Sequence, residues 1–310
     1  MTLITDVQNA PGKQILNVFL EQQTDNIRIL LPPQANASLY DAWNIDVVTG
    51  SLNTHPSLDK ALNKVDTLII THSNFLSDLR KGYINLLYSA LGTGVKYIIY
   101  VSSILTGNSS CIPAQENVET ETAIRNSGIV YTILRRNILM EQMPIFIGNP
   151  LSSGKILFPG GNGRISFTSS DAIARVVTYF IRHKPKVSAT YKISSAISYS
   201  FTDIANILSA ISEMPICYSP VERSFFRKSL LTDSIPPTWT DRIVSVAKSI
   251  EMNEFDVPDF TLFRLLERAK KEQEKISKRS LSYWLGREQE RVHTGKNKNL
   301  SDYLKEVYLS

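Results

Sequence analysis

Hydrophobic and polar positions along the first 140 residues change their spacing in a regular order. Short runs rich in Ile, Leu and Val, typical of strands buried on both faces of a sheet, alternate with longer stretches whose apolar residues recur at helical spacing. The runs predicted as strands are MTLIT, NIRILLP, IDVVTG, DTLIITH, VKYIIYVSS and IVYTILRR. This alternation predicts an α/β fold with a doubly wound parallel sheet, in which MTLIT is a central strand.

The stretches between these runs have the apolar spacing and the end signals of helices. They are KQILNVFLEQQ, the short LYDAW, SLDKALNKV, LRKGYINLLYSALGTG and AQENVETETAIRNSG. Ser57 is a suitable N-cap for the third of them, and Gly92 and Gly94 end the fourth, as helix C-termini prefer. Helices that cover both faces of the sheet would explain why the predicted strands are apolar throughout and do not alternate between apolar and polar residues.

Beyond Met140 the alternation becomes irregular. The predicted elements there are a glycine-rich turn in PGGNGR, a helix in SSDAIARVV, a late strand in ATYKISS, a helix in SFTDIANILSAISEM and a short strand in ICYSPV. We therefore divide the chain into a first domain, 1–140, and a smaller C-terminal α/β lobe, 141–310, with a cleft between them. A long charged helix is predicted over 260–298.

Composition indicates a globular chain of 310 residues, 43% hydrophobic and 20% charged, long enough to bury a core of its own. No apolar run approaches the roughly 18 residues of a membrane helix, and polar residues follow the first strand, so we expect neither a membrane span nor a leader. Cys111 and Cys217 stand far apart without metal-ligand spacing. These features predict an intracellular protein, cytoplasmic or alternatively nuclear, with reduced thiols.

The net charge of +5 comes from the C-terminal region. Residues 264–298 hold eleven Lys and Arg against five Glu, so the rest of the chain is close to neutral. Acids interleaved with the bases favour a solvated helix face over nucleic-acid binding. With Phe263 and Leu265 docking one face of this helix on the body, Lys270 and Lys271 would remain free for an acidic protein partner. The oligomeric state stays open.

The stretch TDVQNAPG, residues 5–12, separates the first strand from the first helix. In a doubly wound sheet this is where a glycine-rich turn holds the phosphates of a dinucleotide. Here the stretch has one glycine, Gly12. The position therefore predicts a nucleotide site, but the residues at that position are not those that such a site needs.

Five segments resemble, in order and spacing, the NmrA-like family, whose members are atypical short-chain dehydrogenases/reductases. They are VKYIIYVSS, ETAIRNSGIVYTILRRNILMEQ, GNGRISFTSSDAIARVV, YSFTDIANILSAISEMPICY and LSDYLKEV. The resemblance implies a Rossmann-type, NAD(P)-binding domain over 1–140. Family members include NAD(P)H-dependent quinone oxidoreductases, reductases of plant and fungal metabolites, and regulators that sense NADP(H) without turning anything over.

The family's nucleotide turn is G-x-x-G-x-x-G, and its glycine positions fall on Asp6, Asn9 and Gly12. The first two glycines make the tight turn and let the backbone approach the pyrophosphate, whereas the third lets the helix pack closely on the strand. A carboxylate at Asp6 would repel a pyrophosphate, Asn9 would fill ligand space, and Pro11 removes a backbone donor. Only the packing glycine is kept.

Other positions of the family pattern also lack the expected residues. At the end of the second strand, where relatives carry Arg for an NADP 2′-phosphate or an acid for NAD, this chain has Pro32. Where relatives place an Asp near the adenine, it has Gly50 and Ser51. The superfamily's Tyr-x-x-x-Lys pair, which supplies an acid/base and its activating cation, falls on Pro113 and Asn117, neither of which can replace it.

Four further residues have expected roles at or near the cleft. Ser102, at the carboxyl end of the fifth strand, either contacts a ligand or caps the following loop. His72, which ends the fourth strand, is placed to contact a ligand, although the four histidines of the chain show no ligand spacing. Arg135 is expected in a buried ion pair with Glu141, and Asp171 is expected to cap a helix.

The predicted function is that of a non-catalytic regulatory or partner-binding protein built on an NmrA-like body, with no catalytic residue, metal or cofactor expected. Its partner would be a protein that contacts the basic C-terminal helix. The alternative is an NAD(P)H-dependent oxidoreductase of the quinone oxidoreductase type that tolerates the altered turn. If NAD(P)(H) binds, we expect Thr5, Gly12, His72 and Ser102 to lie closest to it.

Overall fold

The computed structural model describes residues 1–71, 78–284 and 300–309. Its strands are β1 (Thr2–Thr5), β2 (Ile27–Leu31), β3 (Asp46–Thr49), β4 (Thr67–Ile70), β5 (Tyr97–Ser103), β6 (Val130–Arg136), β7 (Lys155–Phe158), β8 (Arg164–Ile165), β9 (Ala189–Ile193), β10 (Tyr199–Ser200) and β11 (Cys217–Pro220). Seven of them form a parallel sheet in the order β3-β2-β1-β4-β5-β6-β9. The predicted doubly wound α/β fold is confirmed, with β1 between β2 and β4.

Helices cover both faces of this sheet. They are α1 (Gly12–Glu21), α2 (His55–Leu62), α3 (Arg80–Thr93), α4 (Ile112–Asn126), α5 (Pro144–Ile147), α6 (Pro150–Ser153), α7 (Ser170–Arg182), α8 (Phe201–Ser212), α9 (Arg223–Thr232), α10 (Pro237–Glu251), α11 (Thr261–Trp284) and α12 (Leu300–Leu309). The apolar side of α1, with Ile15 and Phe19, is buried with residues of α7 and α11 on one face. Apolar residues of α2, α3 and α4 are buried on the other face. This double cover explains why the strands lack a polar side.

The residues predicted to begin and end the helices are confirmed only in part. The N-cap residue of α2 is Thr54, so the prediction that Ser57 caps this helix is wrong. Ser57 lies in the first turn, where its hydroxyl donates to Ser51 O at 2.9 Å. Gly94 does end α3, with a φ of 81°, a left-handed conformation that glycine adopts without strain.

Part of the chain beyond residue 140 belongs to the main sheet. The late strand β9 pairs in parallel with β6, and α7 packs with α1 over that sheet. The segment 1–140 therefore does not contain the whole sheet, and the domain boundary placed there stays a prediction. A second core lies among the other C-terminal elements, around two small sheets, β8 with β10 and β7 with β11. In this core Phe158 and Phe201 pack with their ring centroids 4.6 Å apart.

Helix α11 forms the first part of the predicted basic helix, and residues 285–299 lie outside the described residues. Leu262 and Leu265 of α11 are buried in the core shared with α7. Phe263 is 60% exposed, so the prediction that it docks is wrong. It follows Leu262 by one position and so points about 100° away around the helix. Over the described part of the chain, no helix has the length and apolarity needed to cross a membrane.

Candidate functional site

The turn between β1 and α1 places an aspartate in a backbone conformation that favours glycine. Asp6 has a φ of 51°, in the left-handed region that non-glycine residues enter infrequently. Its carboxylate accepts a hydrogen bond from Asn9 Nδ2 at 2.9 Å. The two residues that replace motif glycines are therefore joined to each other across the turn.

Gly12 lies where α1 approaches the ends of β1 and β4. A Cβ added at Gly12 would lie 2.3 Å from Asp6 O and 2.8 Å from Thr71 Oγ1. Thr71 Oγ1 donates to Thr5 O at 2.7 Å, and Thr71 N donates to Thr5 Oγ1 at 3.1 Å. Thr5 and Gly12 thus hold these elements together, and their assignment as cofactor contacts stays a prediction.

The residues of this turn do not fit a dinucleotide pyrophosphate held in the usual way. Asp6 brings a negative charge to the turn, where like charges repel. Pro11 has no N–H, and Lys13 N already donates to Asn9 O at 2.7 Å, which removes two of the donors that a helix N-terminus offers to phosphate. The side chain of Pro32, after β2, provides neither a positive charge nor a hydrogen-bond acceptor for a ribose.

A pocket lies at the carboxyl ends of β5 and β6, where ligands of doubly wound folds bind. Its cavity volume is about 50 Å³. Its lining includes Ser102, Ser103, Asn117, Arg136, Asn137 and Phe146. Polar groups of the sheet and of α4 thus line the pocket together with apolar side chains, among them Phe146, Val246 and Phe255, a mixed lining like that of small-molecule sites.

Ser102 and Arg135 share a carboxylate that sequence reasoning missed. The Ser102 hydroxyl donates to Glu121 Oε1 at 2.7 Å, and Arg135 Nη2 lies 2.6 Å from Glu121 Oε2. The predicted ion pair of Arg135 therefore exists, but its partner is Glu121 of α4, and the prediction of Glu141 is wrong. Glu141 instead accepts a hydrogen bond from Ser170 N at 3.0 Å.

Glu121 stays ionised in spite of its burial. Its side chain is 4% exposed, and this burial acts to raise the pKa of the carboxyl group. The hydrogen bonds from Arg135 and Ser102, together with the charge of Arg135, outweigh that effect and hold the pKa below its ordinary value. The sequence held one sign that Glu121 forms ion pairs, because Arg125 follows it by four residues in the same helix. These two residues also form an ion pair, at 3.2 Å.

Arg136 brings a positive charge to the pocket. Its guanidinium donates to Asn137 O at 3.2 Å and lies 3.5 Å from Gln142 Oε1. Burial lowers the pKa of Arg136 to about 10, against a smaller opposing effect of the Glu141 carboxylate. The group is therefore still charged at neutral pH.

The two positions that match the Tyr-x-x-x-Lys pair make a structural contact. Asn117 Nδ2 donates to Pro113 O at 2.8 Å, one turn earlier in α4. The Asn117 side-chain oxygen accepts a hydrogen bond from the hydroxyl of Tyr100 on β5, a group whose pKa is raised by burial. These residues hold α4 against the sheet, and neither has the acid/base character of the residue that it replaces.

Close to the pocket, an ion pair connects α4 with α10. Arg242 Nη1 and Nη2 each lie 2.5 Å from an oxygen of Glu116, and both side chains are 9% exposed. Two parallel charge-assisted hydrogen bonds fix the relative position of two planar groups. The pair therefore orients α10, which carries Val246, another residue of the pocket.

The structure does not test one of the remaining predicted site residues and corrects the role of another. His72 lies outside the described residues. Asp171 does not cap α7, because the cap is Ser169, whose hydroxyl accepts from Ala172 N at 3.2 Å; Asp171 instead pairs with Arg175 at 2.8 Å. In the described ranges, no group of three or more His, Cys, Asp and Glu residues is placed to hold a metal ion.

The sheet order, the two helix layers and the pocket at the carboxyl edge are those of a Rossmann-type α/β protein. The model of the NmrA-like family matches residues 9–304. The chain belongs to the NmrA-like family.

The chain is similar to several proteins that are named as reductases. Quinone oxidoreductase 2 of Escherichia coli strain K12 is 28% identical over 248 residues, which cover 78% of this chain and 85% of the relative. The structure of a new type of NADPH-dependent quinone oxidoreductase from Escherichia coli matches with a TM-score of 0.81 at 19% identity, covering 99% of this chain and all of that one. Triphenylmethane reductase of Citrobacter sp., complexed with NADP(H), matches with a TM-score of 0.81 at 20% identity and 99% coverage of both chains.

Proposed function

We propose that this chain is an NAD(P)H-dependent oxidoreductase of the quinone oxidoreductase type with a weakened nucleotide site. The observation that carries the proposal is the pocket at the carboxyl ends of β5 and β6, which combines Ser102 and Arg136 with the aromatic ring of Phe146. A relative that covers most of the chain is named as a quinone oxidoreductase, which supports this function over the non-catalytic one predicted from the turn.

The altered turn is expected to weaken binding of the nucleotide and to leave binding of the organic substrate unchanged. A carboxylate beside a pyrophosphate in a partly desolvated site costs about 1–3 kcal/mol, which corresponds to a roughly 5- to 150-fold loss of affinity. Asp6 and Asn9 lie in the turn after β1 and are not among the residues that line the pocket. Activity should therefore need more NADPH than an intact glycine motif would require.

The test is to measure NADPH affinity and NADPH-dependent quinone reduction for the unmodified chain and for the double variant Asp6→Gly, Asn9→Gly. The double variant should bind NADPH more tightly and reach its maximal rate at lower NADPH. The matched control is Asp25→Gly with Asn26→Gly, which makes the same two exchanges in an exposed loop before β2, where Asn26 has a φ of 59°. If no NADPH is consumed by any of the three proteins at saturating quinone, the proposal is wrong.

A second candidate is the non-catalytic regulatory or partner-binding protein. It is favoured by the hydrogen bond between Asn9 and Asp6, which closes the turn with side chains in place of a ligand, and by the exposed Lys270 and Lys271 on α11. Thermal-shift measurements with NADPH, NADP⁺, NADH and NAD⁺ separate the two functions, since a nucleotide at one hundred times its Kd adds about 2.7 kcal/mol of stability. Absence of a shift with all four nucleotides, together with absence of turnover, would favour this second function.

The partner in that case would be an acidic protein, held through exposed charges that salt screens with a Debye length of about 8 Å at physiological ionic strength. Reversal of charge at Lys270 and Lys271 should then weaken the contact while leaving stability within about 0.5 kcal/mol. A variant that unfolds would instead assign this face of α11 a structural role.

A further inference from the structure

Helix α11 begins with two exposed phenylalanines on the side that faces away from the core. Phe260 is 64% exposed and Phe263 is 60% exposed. The two lie at the start of the helix, where Arg264 N donates to Phe260 O at 3.0 Å, and residues three positions apart are neighbours on a helix surface. Leu262 and Leu265 occupy the buried side of this helix, so the two rings do not contribute to the core.

A third exposed apolar side chain lies in the loop that adjoins the start of α11. Asp259 N donates to Ser195 O at 3.1 Å, which joins the helix start to the loop after β9. Ile197 of this loop is 58% exposed. Single exposed apolar residues are common on protein surfaces, but two neighbouring rings with a further apolar residue in the adjoining loop mark a contact surface.

Positive charges continue the same side of α11 beyond the two rings. Lys270 follows Phe263 by seven residues, and Lys271 follows Arg264 by the same number. Seven residues are close to two turns, so each lysine lies about 10 Å along the helix and nearly in line with the earlier residue. The exposed residues of 263–271 include four Lys and Arg against one Glu. In the described part of the chain, Arg264, Lys270 and Lys271 form no ion pair, so these charges are available to a partner.

We propose that this outer face of α11, formed by Phe260, Phe263, Arg264, Lys270 and Lys271, binds the surface of a bilayer that contains anionic phospholipids. The two rings would enter the headgroup region, and the cations would lie against the lipid phosphates. Aromatic residues combined with Lys and Arg on one helix surface are typical of such binding.

The composition of the outer face favours a bilayer over a protein partner. The cores of protein interfaces are depleted in Lys and Glu, whereas here the charges lie directly beside the rings. A projecting ring also needs a matching pocket on a protein partner, whereas a fluid headgroup layer accommodates it without one. The positive charge of the face specifies anionic lipid. This inference is independent of the proposed function, because it requires neither nucleotide nor turnover.

The test is co-sedimentation of the full chain, without nucleotide, with phosphatidylcholine vesicles that contain or lack phosphatidylserine. The chain should bind the phosphatidylserine vesicles more tightly by roughly fivefold for each cation that contacts them. Raised salt should release the protein, because salt screens exposed charges.

Two double variants separate the contributions of the rings and of the charges. Phe260→Ser with Phe263→Ser should weaken binding on the order of tenfold, because apolar burial in the bilayer is lost. The matched control is Tyr88→Ser with Leu91→Ser, two exposed residues also three positions apart, on α3 at the other face of the sheet. This control should bind as the unmodified chain does.

The charge variant is Lys270→Gln with Lys271→Gln, which should weaken binding by roughly fivefold for each lysine. Its control is Lys60→Gln with Lys81→Gln, which removes the same net charge from exposed positions of α2 and α3. If binding depends on the outer face and not on net charge alone, this control keeps the affinity of the unmodified chain.

The inference is wrong if phosphatidylserine does not increase binding, if either double variant binds as tightly as the unmodified chain, or if a control loses as much as its variant. Binding to immobilised polyglutamate without binding to vesicles would also overturn it, and would assign the face to an acidic protein. A melting transition for each variant shows that it is folded. Should the phenylalanine variant fail to fold, the single variant Phe263→Gln takes its place.

Discussion

Replacement of Gly12 by alanine tests whether this residue is kept for packing. The added Cβ would lie 2.3 Å from Asp6 O and 2.8 Å from Asp6 C, both backbone atoms, and 2.8 Å from Thr71 Oγ1. Backbone atoms cannot turn aside as the end of a flexible side chain can, so α1 must move away from β1. Overpacking of this kind costs about 1–3 kcal/mol, a large share of the roughly 5–15 kcal/mol that stabilises a typical domain.

The assay is urea unfolding without nucleotide, with Gly92→Ala as the matched control. Nothing lies within 4 Å of a Cβ added at Gly92, within α3, where alanine is expected to gain up to about 1 kcal/mol from helix propensity. The expected result is a fall in the free energy of unfolding for Gly12→Ala and none for Gly92→Ala. If Gly12→Ala is as stable as the unmodified protein, Gly12 is not required for packing, and the reasoning from the close contact is refuted.

Two further predictions concern buried groups. Glu116→Gln should destabilise the fold by about 3–5 kcal/mol in the same unfolding assay, because Arg242 is left buried without its carboxylate. The control is Arg227→Met, which removes an ion pair whose side chains are about half exposed. This variant should change the free energy of unfolding by no more than about 1 kcal/mol. A loss of similar size in both would contradict the distinction between buried and exposed pairs. The thiols should also differ: burial raises the pKa of Cys111 to about 12, whereas Cys217 is exposed, so a thiol reagent at pH 8 should label one cysteine per native chain and two after denaturation. Two labelled cysteines in the native chain would contradict the burial of Cys111.

The sequence indicated some of the site and left its central contacts undetermined. The packing role of Gly12 followed from the resemblance, which places Gly12 at the third glycine of the family's turn, seven residues after the first strand. The partner of Arg135 did not follow in the same way. Glu121 lies 14 residues before Arg135 and 19 residues after Ser102, and its selection depends on how α4 lies across β5 and β6. A local pattern does not contain that information, so Glu141, which is closer in sequence, was the wrong choice.

The sequence by itself determined the doubly wound sheet and its two helix layers, because the spacing of buried positions within one strand or one helix is a local property of the chain. Only the tertiary structure decided that 189–193 returns as the seventh strand beside β6 and that the Ser102 hydroxyl is held by Glu121. Each of these groups had several possible partners in the sequence. The choice among them was made by the packing of segments far apart along the chain, where burial makes one paired arrangement much more favourable than the others.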